Sequence, residues 1–471
     1  MRSLLGPLSF YREAAAIALP VMLQQLIMSM VSLIDNFMVA GLGDINMAAV
    51  NVANQLNFIY IVIINVICQA GGIYMAQFRG AGDAAGMRHA YRFKVIGALA
   101  VSAVYFALCW IIPRRMLAMM TMGNAAQEAI IETGTGYLKL ISFTLAPMAV
   151  SSAIGTSFRE TARPTVPLVI SAAATVVNTV GNWFLIYGNL GAPRLEVSGA
   201  AFATIAARIF ELAVFLIYIR RKPAPFFAGF GTIFKIHKPL IREILSRSGM
   251  IFLSEVSWVS SETIVTALYN GRGGAEVVAG MAAGWTIANI FFLLFGGIWT
   301  TTTVIIGGSL GAGKLEEARL RARWIKSGSA AAGIIIALLG AAAAALLIPL
   351  VFSNLTAGAR RISLGLVFVI LAYLPLWALL NAQFAISRSG GDAAMGMYTD
   401  LSVNTFLFVP GAFALALGTS IHPVPMFAIL KLTDIVKFFI ARHFLNKERW
   451  VRNLTRGMNG QHRAESGWQV D

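Results

Sequence analysis

Gly80-Ala81-Gly82 follows two long apolar stretches and opens a charged segment, and Gly311-Ala312-Gly313 does the same 231 positions later. Each triplet leads into a basic run with helical spacing: Arg88, Arg92 and Lys94 in the first copy, Arg319, Arg321 and Arg323 in the second. The echo extends upstream, where Gly41-Leu42-Gly43 is matched by Gly271-Arg272-Gly273, and downstream, where Arg159 is matched by Arg388. Self-similarity at a long fixed offset marks two copies of one structural unit.

The 471 residues are 58% apolar and 12% charged, with a mean hydropathy of +0.73. A soluble core cannot hide that much hydrocarbon, so the chain reads as a polytopic membrane protein. Runs of about 20 apolar residues, each able to cross a ~30 Å hydrocarbon layer, recur from 14–40 to 421–445 and number about twelve. The first run is about twice the length of a signal core and lacks a small-residue cleavage site, so it reads as the first span. Cys68 and Cys109 both fall inside apolar runs, where a small buried side chain is the expected role.

The net charge of +16 would suit nucleic acid, but its placement argues otherwise. The N-terminus, the loops 77–94, 157–163, 221–247 and 310–326, Arg388 and the tail after 440 carry about 27 Lys and Arg; the alternate loops carry about six. Positive loops stay cytoplasmic, so this alternation predicts twelve spans in a cytoplasmic (inner) membrane with both termini inside. The expected fold is all-α, with two pseudo-symmetric six-helix lobes. The expected parts are 1–220 as the first lobe, 221–247 as a cytoplasmic linker with an amphipathic helix, 248–447 as the second lobe, and 448–471 as a tail, polar from about 453 and read as disordered. Six spans per copy make the lobes parallel repeats, a plan common among secondary transporters.

Ionisable groups inside spans are expensive and mark candidate sites. Asp35 shares a helical face with Gln24 and Ser32 in the first span. Asn178 and Asn182 lie four residues apart in the fifth, one turn after Thr175; their amides can coordinate a cation or hold a carboxylate, or serve as interhelical glue. Glu255 and Glu262, seven apart in the seventh span, form an acidic stripe suited to a water-filled cavity, with Arg272 as an alternative partner for Glu262. Arg208 and Glu211 read as a structural ion pair, as do Lys431, Asp434 and Lys437, while Asp400 reads as a cap or a partner for Arg388. Asn54, Asn57, Asn65 and Gln69 suggest a wet wall in the second span. Phe58, Tyr60, Trp258 and Trp285 are aromatic candidates for substrate contact whose simpler role is packing.

No phosphate-binding loop, no Ser/His/Asp set and no Cys/His cluster occurs in the sequence. The chain is therefore expected to be neither an ATP-driven motor nor an enzyme, and to hold no cofactor or metal beyond a transported Na+ or H+.

Several segments together resemble the MATE (multidrug and toxic compound extrusion) transporters over about residues 10–455. They are Ala18-Leu19-Pro20 through Ile34-Asp35 and Val39 to Gly43, Ala76 to Ala81, Ser387-Arg388-Ser389-Gly390-Gly391-Asp392, and Arg449-Trp450-Val451-Arg452-Asn453-Leu454. The Ser387–Asp392 turn is similar to the DinF-like branch, and Asn178 with Asn182 to the NorM branch. The resemblance implies alternating-access antiport that exports organic, cationic or amphipathic compounds against Na+ or H+. It implies Asp35, Asn178 and Asn182 as the cation site and sets Glu255 near a seventh-span glutamate of the NorM branch; Glu255 and Glu262 together are read as a substrate or second-lobe cation site. It departs in the tenth span, where residues 361–387 contain no acid. The partners expected are small organic compounds, the coupling ion and membrane lipids, with no nucleic acid, and the chain is read as a monomer. The competing expectation is a lipid-linked oligosaccharide flippase or other metabolite exporter of the same superfamily, which would place basic residues in the cavity; here Lys139 and Arg208 are the intramembrane candidates.

Overall fold

A computed structural model describes residues 5–235 and 238–455. Among these residues all regular structure is helical. Twelve helices carry the fold: α1 (Leu8–Ala40), α2 (Asp44–Gly80), α3 (Ala84–Ile111), α4 (Gln127–Glu160), α5 (Thr165–Tyr187), α6 (Glu196–Arg221), α7 (Lys238–Asn270), α8 (Ala275–Gly311), α9 (Leu315–Val351), α10 (Ala357–Ser389), α11 (Ala394–Gly418) and α12 (423–446). Ten of them are long and apolar enough to cross a membrane. The other two are α7 and α12. In α7, Ser254, Glu255, Ser257, Ser260, Ser261 and Glu262 dilute the apolar character. α12 is interrupted at Leu432, which leaves two shorter segments.

The chain forms two compact units. One holds residues 23–75 and 83–242, most of the first half. The other holds 243–455 together with 5–22 and 76–82 among the described residues. The division therefore differs from a cut at 220: the first part of α1, up to just past Pro20, and the last turn of α2 belong to the second-half unit.

The repeated glycine triplets have two structural duties. Gly82 and Gly313 adopt φ of +70° and +76°, the left-handed conformation that ends a helix without a Cβ clash. Asp83 then caps α3 by accepting from the Gly86 amide at 2.9 Å. Gly80 and Gly311 serve close approach instead. A Cβ on Gly80 would strike the carbonyl of Gly308, and one on Gly311 would strike the carbonyl of Gln77. Residue 308 is the repeat counterpart of residue 77, so the ends of α2 and α8 cross by the same contact made twice. At the next such turns, Ala162 and Gly391 both take positive φ, +60° and +81°, beside the paired Arg159 and Arg388.

Two expectations are corrected. The linker contains no separate surface helix among its described residues: from Lys238 onward it is the first turns of α7, and Ile244 there is fully buried. The start of the tail is ordered, because its backbone finds partners. Gln77 accepts from the Leu454 amide at 2.8 Å and donates to the carbonyls of Ser389 and Arg452. Asn453 donates to the Gly311 carbonyl at 3.0 Å, and Thr455 is buried. Residues 456–471 lie outside the described residues.

Candidate functional site

In the first-half unit, α1, α5 and α6 build one polar cavity of about 120 Å³, room for several waters. Asp35, Thr175, Asn178, Thr204, Arg208 and Glu211 line it. The amide of Asn182 donates to the Asp35 carboxylate at 2.6 Å. Asn178 sits one turn earlier, as the four-residue spacing requires. One orientation of its amide satisfies every neighbour: the nitrogen donates to both Asp35 oxygens at 3.1 and 3.0 Å, and the oxygen accepts from the Thr204 hydroxyl at 3.2 Å. The opposite orientation would set a carbonyl oxygen against a carboxylate. Both asparagines are buried.

A second chain of bonds runs beside the acid. Gln24 donates to Ser171 at 2.9 Å, Ser171 donates to Glu211 at 2.8 Å, and Arg208 donates to the other Glu211 oxygen at 2.9 Å. The face shared by Gln24, Ser32 and Asp35 thus points to the polar interior, with Ser32 on the cavity itself. The Arg208–Glu211 pair is part of this wall and not remote from it. Arg208 is 27% exposed and supplies the positive charge of a cavity that holds two acids.

Oxygen ligands suit a hard cation. Asp35 offers a carboxylate, and Asn182 offers an amide oxygen that is buried and has no hydrogen-bond partner in the described structure. The same acid can equally take a proton. The Asp35 carboxylate on the cavity wall can thus bind either a hard cation or a proton.

In the second-half unit the stripe on α7 is neutralised. Glu255 pairs with Arg388 at 3.0 Å, and Glu262 pairs with Lys431. Both acids remain about a quarter exposed, at 27% and 22%. Ser254 donates to Asp400, which pairs with Lys437 at 3.3 Å; Lys437 also reaches Asp434 at 3.8 Å, and the Trp377 indole donates to Asp434 at 2.8 Å. Lys431 sits over the rings of Phe408, Phe427 and Trp377 at 4.7, 5.3 and 5.7 Å. Three pairings differ from expectation. Arg272 leaves Glu262 alone and donates to the carbonyls of Leu415 and Thr419. Arg388 takes Glu255 in place of Asp400. Lys431 reaches across to α7 in place of Asp434.

Other candidates find structural roles. The Tyr60 hydroxyl donates to the Leu145 carbonyl at 3.0 Å and shares a bond with Ser102, and Trp285 packs edge-on to Phe427. Phe58 and Trp258 are about half exposed. Asn57 accepts from Tyr105, while Asn54, Asn65 and Gln69 are exposed and lie away from the Asp35 cavity. Sequence reasoning missed one pair: Lys94, fully buried, is bound to Glu160. Lys94 looks like the end of the basic run Arg88–Arg92, but it lies about three turns into α3 between the buried Phe93 and Val95. That depth was the available signal.

The family model MatE matches residues 20–184 and 251–419. The probable multidrug resistance protein NorM of Neisseria meningitidis is 25% identical over 335 residues, 70% of each chain. The protein of the same name from Deinococcus radiodurans is 24% identical over 392 residues, 82% of each. Multidrug resistance protein PmpM of Pseudomonas aeruginosa is 23% identical over 323 residues, 66% of this chain and 64% of its own. Among solved structures, a variant of the Vibrio cholerae MATE transporter VcmN matches with a TM-score of 0.80 at 16% identity, covering 94% of this chain and 98% of that one. A MOP superfamily transporter of Pyrococcus furiosus, described by a reversed polarity of its binding pocket, matches with a TM-score of 0.76 at 16% identity and covers 94% and 97%. These structural likenesses carry the fold.

Proposed function

The chain belongs to the MatE family, and from that premise we propose that it is a multidrug efflux antiporter, exporting organic cationic or amphipathic compounds against Na+ or H+. It is an integral membrane protein. In our reading it is a monomer of the inner membrane with both termini in the cytoplasm, and it does no catalysis. The names of its relatives favour efflux over the flippase alternative.

One observation carries the coupling role: a single acid, Asp35, is shared by two amides of α5 inside a polar cavity. While Asp35 is ionised it accepts from both, and charge-assisted bonds of this kind contribute about 1.5–3 kcal/mol each. A proton or Na+ on the carboxylate neutralises it and withdraws that acceptor. The bonds that tie α1 to α5 then weaken, and the two helices are free to rearrange. The ion changes the balance between two conformations because it binds one of them better. In our reading the acidic stripe on α7 serves the substrate instead: Glu255 and Glu262, each partly exposed, exchange Arg388 and Lys431 for its positive charge.

The test is efflux of an ethidium-like cation from energised vesicles, run with a proton gradient and with a sodium gradient. Wild-type transport by Asp35→Asn would remove the coupling role. Loss of transport with substrate binding retained is the expected result.

A further inference from the structure

A second cavity, of about 340 Å³, lies in the second-half unit between the first turns of α7, the turn at Gly391 and the segment after α12. Arg247, Arg449 and Arg452 line it, with Glu243 and Asp392. Glu243 neutralises Arg247 at 2.8 Å, and Arg247 also donates to the Gly391 carbonyl. Gly391 leaves the space that this guanidinium fills, since a Cβ there would strike it. The guanidinium groups of Arg449 and Arg452 make no ion pair or hydrogen bond among the described residues. The lining thus carries one net positive charge, and its two unpaired cations stand three residues apart on one segment.

That segment is fixed. Trp450, between the two arginines, is buried and donates to the Leu445 carbonyl at 3.2 Å. Glu448 pairs with Arg319 at 2.8 Å. The Arg452 carbonyl and Leu454 amide are both held by Gln77. Two free guanidinium groups on a backbone held at Trp450 and Gln77, lining one cavity, are available to an anion there. Guanidinium matches phosphate oxygens in a bidentate fork, and basic pockets on the cytoplasmic side of membrane proteins bind lipid headgroups.

We propose that this cavity binds a phosphate group through Arg449 and Arg452, with Arg247 also in its lining, and that a monoanionic phosphodiester headgroup of the inner leaflet is the ligand its net charge matches. Free phosphate shares the chemistry, and the test separates the two sources. The proposal rests on the membrane sidedness assigned above and not on the transported substrate.

The experiment uses the full chain in detergent. Thermal melting is followed with short-chain phosphatidylglycerol, with short-chain phosphatidylcholine and with inorganic phosphate, for wild type and for the double variant Arg449→Ala, Arg452→Ala. Phosphatidylglycerol is expected to raise the wild-type melting temperature saturably, with about tenfold weaker binding for each arginine removed. Stabilisation by phosphatidylglycerol alone identifies a lipid site, and equal stabilisation by inorganic phosphate identifies a soluble source. An unchanged response in the double variant, an equal response to phosphatidylcholine, or no response in wild type overturns the proposal. Both arginines are exposed, so the unliganded variant is expected to melt as wild type does and to retain drug efflux. A variant that melts lower is replaced by Arg449→Gln, Arg452→Gln, for which the same outcomes decide.

Discussion

Asn182 donates to the Asp35 carboxylate at 2.6 Å while its own amide oxygen, buried, meets no partner in the described structure. A buried acceptor left unsatisfied costs about 1–3 kcal/mol. In our proposal the amide turns over when a cation or a proton binds Asp35, so that its oxygen meets the ion or the new O–H. Asn182→Ala removes both the donor and the waiting acceptor. Its expected effect is a roughly tenfold loss of ion-driven efflux, the size of one charge-assisted bond. Titrating efflux against the sodium or proton gradient in vesicles checks it; an unchanged ion dependence would detach Asn182 from coupling.

The second-half acids predict a different outcome. Glu255 faces Arg388, which is only 5% exposed. Glu255→Gln leaves that guanidinium poorly compensated, so a lower melting temperature is expected together with a change in apparent affinity for cations. The maximal rate at saturating substrate should fall far less than in Asp35→Asn. Measuring KM and rate for a cationic and a neutral compound separates the two effects. Equal loss for both compounds would deny Glu255 any part in reading substrate charge.

Lys94 and Glu160 supply a test of stability alone. Both are buried, and their partner groups are Thr156 and Ser157 hydroxyls at 3.3 and 3.4 Å from the ammonium. Breaking a buried pair from one side costs about 3–5 kcal/mol, because the remaining charge is uncompensated. Glu160→Gln should therefore lower the melting temperature sharply. The double variant Lys94→Met, Glu160→Met removes both charges and should recover most of the loss. A double variant as unstable as the single would mean that the pair's hydroxyl contacts, and not its charges, hold α3 to α4.

What the sequence made legible follows from what is local. Glycine spacing and charge alternation placed the turns and the spans, because each is written within a few residues. The site was legible as faces: eleven and three residues set Gln24, Ser32 and Asp35 on one side of α1, and four residues set Asn178 beside Asn182. That these faces meet is a tertiary fact, 147 positions apart between Asp35 and Asn182. The same limit hid the pairing of Glu262 with Lys431, 169 positions away, behind a plausible neighbour at Arg272. Composition misled at Asn453–Thr455, where a polar stretch resembled a free tail but Gln77 and Gly311 had groups waiting for it.

The duplicated crossing of α2 and α8 gives the sharpest contrast among single methyl groups. At Gly80 and at Gly311 an added Cβ meets a backbone carbonyl, which cannot rotate away. At Gly308, three residues before Gly311 on the same helix, an added Cβ meets nothing within 4 Å. Small residues let membrane helices approach closely, and overpacking such a contact costs about 1–3 kcal/mol. Gly80→Ala and Gly311→Ala are each expected to lower the melting temperature, and by similar amounts because the two contacts are repeats of one another. Gly308→Ala should be neutral or slightly stabilising, since alanine is the better helix former. Thermal melting of the three purified variants decides the matter. A loss at Gly308 equal to that at Gly80 would mean that the clash with a backbone carbonyl is not what makes alanine costly at Gly80 and Gly311.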